Sequence, residues 1–355
     1  RGREDMLDRT TLIAPLRAIV KSLDVTTIGG VIAPGGSVMT LVPVGDQLLV
    51  ETRISPRDIA FIHPGQSALV KVTAYDYSIY GGLEGKVETK SFVPGRQCRL
   101  GTAQSAVMTK PVTANSIEGV MQASELLFGE AFTIYDESNG WAWGQCGHDG
   151  YVGYVAAADL YDNLPEPTHW VTAVRSLVFP DPKGEYPAMM SVSMTARVSL
   201  DREEGDYASL ASGGWMFRSH LAPLGQTRTD FIATAQMFTR VPYLWGGRGG
   251  LGIDCSGLVQ VPLAAAGIAI PRDTDQQADA VGEDVEVPED VSDLRPGDIL
   301  FFPGHVGFYL GSDAFLHASS HGMMVATHTL AEVLERIDER HGTGITRVRR
   351  IKMVE

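Results

Sequence analysis

The stretch Tyr243-Leu244-Trp245-Gly246-Gly247 leads into Asp254-Cys255-Ser256-Gly257 and then into a helix-like run. A glycine turn followed by a helix is a tightly constrained piece of backbone, and it puts a cysteine at the helix start. There the unpaired N–H groups of the first turn and the helix macrodipole both favour thiolate over thiol. Two histidines follow in strand-like surroundings, His305 in Gly304-His305-Val306-Gly307 and His317 in Phe315-Leu316-His317-Ala318. On its own, a cysteine is most often just a small buried side chain. A cysteine followed in the chain by a histidine and a second polar residue has the makings of a thiol hydrolase.

The remaining cysteines, Cys98 and Cys146, make no disulfide framework, and no C-x-x-C pair suggests zinc. Both read as ordinary cysteines of sheet-rich surroundings. His317 and His321 stand four apart, but no glutamate follows the first as in zinc hydrolases, so no metal and no cofactor is expected. The net charge is −14, and residues 1–92 carry 10 basic and 10 acidic side chains. All of the excess negative charge therefore falls in residues 93–355, which argues against a nucleic-acid partner. No run of 18 apolar residues exists to span a membrane as a helix.

Glycine and proline punctuate the amino-terminal two thirds, which reads as short strands and turns. Strand candidates include Leu41–Val44, Leu48–Ile54, Ala68–Val72, Phe132–Tyr135, Trp141–Cys146, Tyr151–Val155 and Trp170–Val174. Helix spacing enters at Thr229–Thr239, with Phe231, Ile232, Ala235 and Phe238 on one face, and again at Cys255–Ala266. Pro262 lies inside the second, where an interior proline costs about 3 kcal/mol, yet far enough along to spare the helix start. Helices followed by an antiparallel sheet give an α+β plan.

Three resemblances sharpen this reading. Residues 226–350 resemble the NlpC/P60 family of papain-like cysteine peptidases in Val241–Gly247, Asp254–Val259, Leu294-Arg295-Pro296-Gly297-Asp298 and Gly304–Gly307. Residues 111–162 and 170–221 resemble bacterial SH3-like domains. The segments Arg9–Leu16, Ile28–Gly35, Asp58–Gln66 and Tyr80–Val87 are similar to periplasmic adaptors of haemolysin-type secretion. The implied organisation is an adaptor-like all-β segment over 1–92, SH3-like barrels over 93–164 and 165–225, and the peptidase over 226–355.

The resemblance implies Cys255 as nucleophile, His305 as base and His317 as the residue orienting it. It implies Tyr243, Asp254 and Ser256 as pocket residues, with Glu125 and Tyr151 of the first barrel capturing a free amino end. It further implies hydrolysis of peptidoglycan stem peptides at the bond between γ-D-glutamate and a diamino acid. Muropeptides would then be the partners, together with export components through the adaptor-like segment. The cell envelope is the expected compartment, with the cytoplasm as alternative. Two other functions stay open: a non-enzymatic secretion adaptor, and an amidase or acyltransferase on the same fold.

Overall fold

The computed structural model describes residues 18–25, 37–43, 66–70, 83–86, 96–101, 105–113, 116–288 and 291–352. The strand candidate Leu48–Ile54 and the adaptor-like segments 9–16 and 28–35 lie wholly or almost wholly outside them. Two compact units divide the chain at Ile54. The first holds a hairpin of β1 (Ala18–Leu23) and β2 (Met39–Pro43), antiparallel with a bulge between Val20 and Ser22.

The second unit opens with another antiparallel pair, β3 (Ser67–Val70) and β4 (Leu83–Lys86). A seven-stranded antiparallel sheet follows. It is built from β5 (Arg96–Leu100), β6 (Ser105–Thr113), β7 (Ser116–Leu127), β8 (Ala131–Ser138), β9 (Trp141–Cys146), β10 (Val152–Ala156) and β11 (Leu160–Tyr161), in the order β11-β5-β8-β9-β10-β6-β7. β8 and β10 alternate in burial, and their inward residues Phe132, Ile134 and Val155 build a core with Leu100, Met108, Leu126, Cys98 and Cys146. Burial pushes the Cys98 thiol up to about 12 and drives Cys146 well above its ordinary range, so neither offers a ready thiolate.

Residues 169–223 form two smaller antiparallel sheets. One joins β12 (His169–Val171) to β15 (Arg197–Val198) and β19 (Leu221–Pro223). The other holds β13 (Arg175–Phe179), β14 (Met190–Ser193), β16 (Leu200–Glu204), β17 (Tyr207–Leu210) and β18 (Trp215–Phe217). The hydrophobic clusters do not respect the boundaries between these sheets. Leu127 and Phe128, at the end of β7, pack with Val171, Val178 and Leu210, while Trp170 joins the core around Cys255.

The remainder is α+β. Helix α1 (Phe231–Gln236) is shorter than the periodicity predicts. Asp230 caps it by accepting the Ala233 N–H at 2.8 Å, and the backbone leaves the helix through tighter turns to Arg240, at φ 72°. A two-stranded pair, β20 (Arg248–Gly249) and β21 (Gly252–Ile253), precedes helix α2 (Cys255–Ala265). Helix α3 (Thr274–Ala280) connects to a six-stranded antiparallel sheet. Its strands are β22 (Glu283–Val285), β23 (Ile299–Phe302), β24 (His305–Gly311), β25 (Ala314–Ser319), β26 (Met324–Thr329) and β27 (Arg347–Arg350), ordered β22-β27-β23-β24-β25-β26. Helix α4 (Leu330–His341) lies between the last two in sequence. Nearly all of α2 is buried, and that packing carries the helix past Pro262 to its end at Ala265, with Gly267 just beyond at φ 82°.

Candidate active site

Cys255 is the first residue of α2, as its sequence position predicts. Asp254 is the N-cap, extended at φ −96° and ψ −178°, and its Oδ1 accepts the Gly257 N–H at 2.7 Å. Its Oδ2 accepts the Gly246 N–H at 2.8 Å and the Arg272 Nη2 at 2.6 Å. One carboxylate thus ties the glycine turn, the helix start and a buried guanidinium together. Gly246 stands at φ 75°, and a Cβ there would meet Gln122 and the Ala123 backbone from the seven-stranded sheet. Tyr243 donates its N–H to the Met323 carbonyl at 2.9 Å, which pins the turn beside β26.

The histidines come from adjacent strands. Gly307 of β24 lies across from His317 of β25, where a Cβ would come within 2.9 Å of the His317 Cβ. His305, two residues before Gly307, shares that face by strand periodicity. The His305 Nε2 and His317 Nδ1 are hydrogen-bonded at 2.7 Å, and the His317 Nε2 and His328 Nδ1 at 2.9 Å. His328 is opposite Phe315 in the β25–β26 register, so one histidine from each of three neighbouring strands enters a single chain. His305 and His317 are residues the sequence points to. His328 is not, because only strand pairing brings position 328 beside position 317.

Burial sets the protonation of this group. It pushes the Cys255 thiol up to about 11, with the Asp254 charge adding to the rise. The N–H groups of Val306 and Ser256 and the charge of Arg272 work the other way without overcoming it. Burial alone takes His305 down to about 4. His317 falls to about 2 through burial and the charges of its histidine neighbours and Arg336. Burial thus opposes charge on both the thiol and the imidazole. Desolvation outweighs the helix start at this depth.

The predicted pocket residues divide. Tyr243 is half-buried, with its phenol held above the ordinary range by burial and then by the Cys255 and Asp254 charges, so it borders the cysteine. The oxygens of Asp254 and Ser256 turn inward instead. The Arg272 Nη1 donates to the Ser256 Oγ at 2.6 Å, and that hydroxyl donates to the Asp254 Oδ1 at 3.2 Å. Their bonds hold the turn and the helix start in place.

Glu125 and Tyr151 do reach this neighbourhood from the seven-stranded sheet. Glu125 is buried, and its Oε2 accepts the Arg248 N–H at 2.7 Å. Tyr151 is buried beside Arg272, and its phenol is raised by burial and by Asp273, Asp149 and Asp254. Two buried arginines complete the joint. Arg248 binds both Glu130 oxygens at 3.0 and 3.2 Å, the Glu125 carbonyl at 2.9 Å and the Gln260 Oε1 at 2.7 Å. The Arg272 Nε donates to the Ser124 Oγ at 3.2 Å. Sequence alone gives no hint of these arginines, since charged residues are rarely buried.

Among the described residues, Cys146, His148 and Asp149 bring three potential metal-ligand atoms within 4.8 Å of one another. Asp149 already accepts from Gln260 at 2.9 Å and from the Tyr151 N–H at 2.9 Å, and the Arg248 charge acts on both Asp149 and Cys146. A fixed guanidinium there opposes a second cation.

The NlpC/P60 family model matches residues 240–338, and the model for a bacterial dipeptidyl-peptidase Sh3 domain matches residues 116–160. The model for an AprE-like β-barrel domain matches residues 48–91. The γ-D-glutamyl-L-lysine dipeptidyl-peptidase of Bacillus subtilis is 30% identical over 233 residues, spanning 59% of this chain and 77% of that protein. The plasmid-encoded haemolysin secretion protein D of Escherichia coli is 34% identical over 106 residues, which is 30% of this chain and 22% of that one. A crystal structure of an NlpC/P60 family protein from Bacillus cereus shares the fold, with a TM-score of 0.58 at 20% identity over 72% of this chain and 99% of its own. Motifs, fold and relatives agree: the chain belongs to the NlpC/P60 family of cysteine peptidases.

Proposed function

We propose that the chain hydrolyses peptidoglycan stem peptides at the bond joining γ-D-glutamate to a diamino acid, and that it requires a free amino end on the preceding L-alanine. The observation that carries this reading is the buried contact between the seven-stranded sheet and the cysteine's turn. Glu125, Ser124 and Tyr151 stand against Arg248 and Arg272 there, which puts a carboxylate and a phenol on that side of the cysteine's turn. The curated relative named for γ-D-glutamyl-L-lysine dipeptidyl-peptidase activity supports the same bond. A carboxylate and a phenol are suitable partners for a terminal ammonium group.

In this mechanism Cys255 is the nucleophile and His305 the base. His305 uses its Nε2 on His317, which leaves Nδ1 for the thiol proton. As Sγ bonds to the amide carbon, that proton passes to Nδ1, which removes the need for a standing thiolate. The tetrahedral oxyanion takes backbone N–H donors at the α2 start. The C–N bond then breaks, the imidazolium protonates the departing amine, and water releases the dipeptide from the thioester. The adaptor-like match over 48–91 supports an envelope location and contact with export components.

Mass analysis of L-Ala-γ-D-Glu-meso-diaminopimelate and its N-acetylated form tests the free-amine requirement. We expect cleavage of the first and little of the second. Equal cleavage of both would overturn the role given to Glu125 and Tyr151.

A further inference from the structure

We propose that His328 is a positioning residue of the peptidase: acting through His317, it sets the direction in which the His305 imidazole carries its proton. The inference rests on reading Cys255 and His305 as nucleophile and base.

A neutral imidazole has one N–H, so a chain of three neutral imidazoles can be protonated in two self-consistent ways. In one, every ring carries its proton on Nε2, so His305 donates to His317 and His317 donates to His328. His305 Nδ1 is then an acceptor and can take the thiol proton. In the other, every ring carries its proton on Nδ1 and each bond is reversed. His305 then presents an N–H to the cysteine and cannot act as base.

His317 cannot make the choice. It is buried, and each of its ring nitrogens meets another histidine, at 2.7 and 2.9 Å. The Phe315 ring lies 5.2 Å away and offers no polar atom. The choice therefore falls to the outer end, at His328, which is half-buried and sits one residue before the N-cap of α4. Glu332 is held ionised by its bonds to Thr329, and the charge of Arg336 helps. The Arg336 charge also acts on His317. With the His328 Nδ1 as acceptor, His317 donates from Nε2 and accepts from the His305 Nε2 at Nδ1. That is the direction in which His305 works as a base. Thr329 and Glu332, a capping box, thus hold a helix end and a charge with one set of bonds.

The test compares His328→Ala and His328→Asn with the parent, using the full chain. The asparagine Oδ1 can accept where Nδ1 did, so it should restore what alanine loses. We expect His328→Ala to lower kcat about ten-fold, a fraction of the ~10²–10⁴-fold that general-base catalysis supplies, with KM held within about two-fold. ¹⁵N-histidine NMR reads the direction itself. The parent should show His305 and His317 protonated on Nε2, and His328→Ala should show both forms. Thermal unfolding checks that each variant is folded, and the asparagine variant carries the test if alanine is not. A folded His328→Ala with unchanged kcat, or with His305 still wholly protonated on Nε2, would overturn the inference. A parent as inactive as Cys255→Ala would instead overturn the nucleophile reading, and the tautomer spectra would still decide the role of His328.

Discussion

Cys255 and His305 owe their protonation to depth. Burial raises the thiol to about 11 and lowers the imidazole to about 4. The proposed mechanism answers this by moving the thiol proton during attack. The same burial makes stability depend on pH. His305 and His317 take up protons in the unfolded chain as pH falls through about 6.5, but in the folded chain only near 4 and 2. The unfolded state binds more protons across that interval, so their contribution is complete above about 6.5 and shrinks as pH falls toward 4. Urea unfolding at pH 7 and pH 5 should show the parent losing more stability than His317→Gln. An equal loss would mean that the buried histidines do not carry the dependence.

At the scale of elements, the helix start depends on a side chain with two duties. Asp254 caps α2 through Gly257 and neutralises Arg272, which is itself fully buried. Asn is as good an N-cap as Asp, but it leaves the guanidinium without a counter-charge. Asp254→Asn should therefore cost about 3–5 kcal/mol in chemical denaturation, the range for a broken buried ion pair. A cost of about 1 kcal/mol or less would reduce Asp254 to a cap. Helix α2 was legible because cysteine, glycine and apolar spacing coincide there, and β9 because its residues form a short apolar run bounded by turns. The hairpin of β6 and β7 was not. Its strands mix polar residues with a proline at Pro111, beside the bulge between Pro111 and Thr113, and its register comes from pairing across the sheet.

Across the whole molecule, the peptidase and the seven-stranded sheet meet through a buried ion pair, Arg248 with Glu130, rather than through an apolar face alone. Arg248→Met would leave the Glu130 carboxylate buried without its counter-charge. We expect about 3–5 kcal/mol of destabilisation in urea unfolding, partly restored by adding Glu130→Leu. An additive double variant would mean that the two side chains do not depend on each other. This joint was invisible in the sequence, since nothing at positions 130, 248 or 272 marks a charge as internal. The Cys255, His305 and His317 set was visible because its residue types are scarce and its glycines closely spaced. His328 was not, because strand register alone connects it.

The most direct measurement of the central claim is product analysis after incubating the parent and Cys255→Ala with L-Ala-γ-D-Glu-meso-diaminopimelate. The account predicts L-Ala-γ-D-Glu and free diaminopimelate from the parent and neither from the variant. Cleavage at the L-Ala–D-Glu bond, or equal release by both proteins, would contradict it.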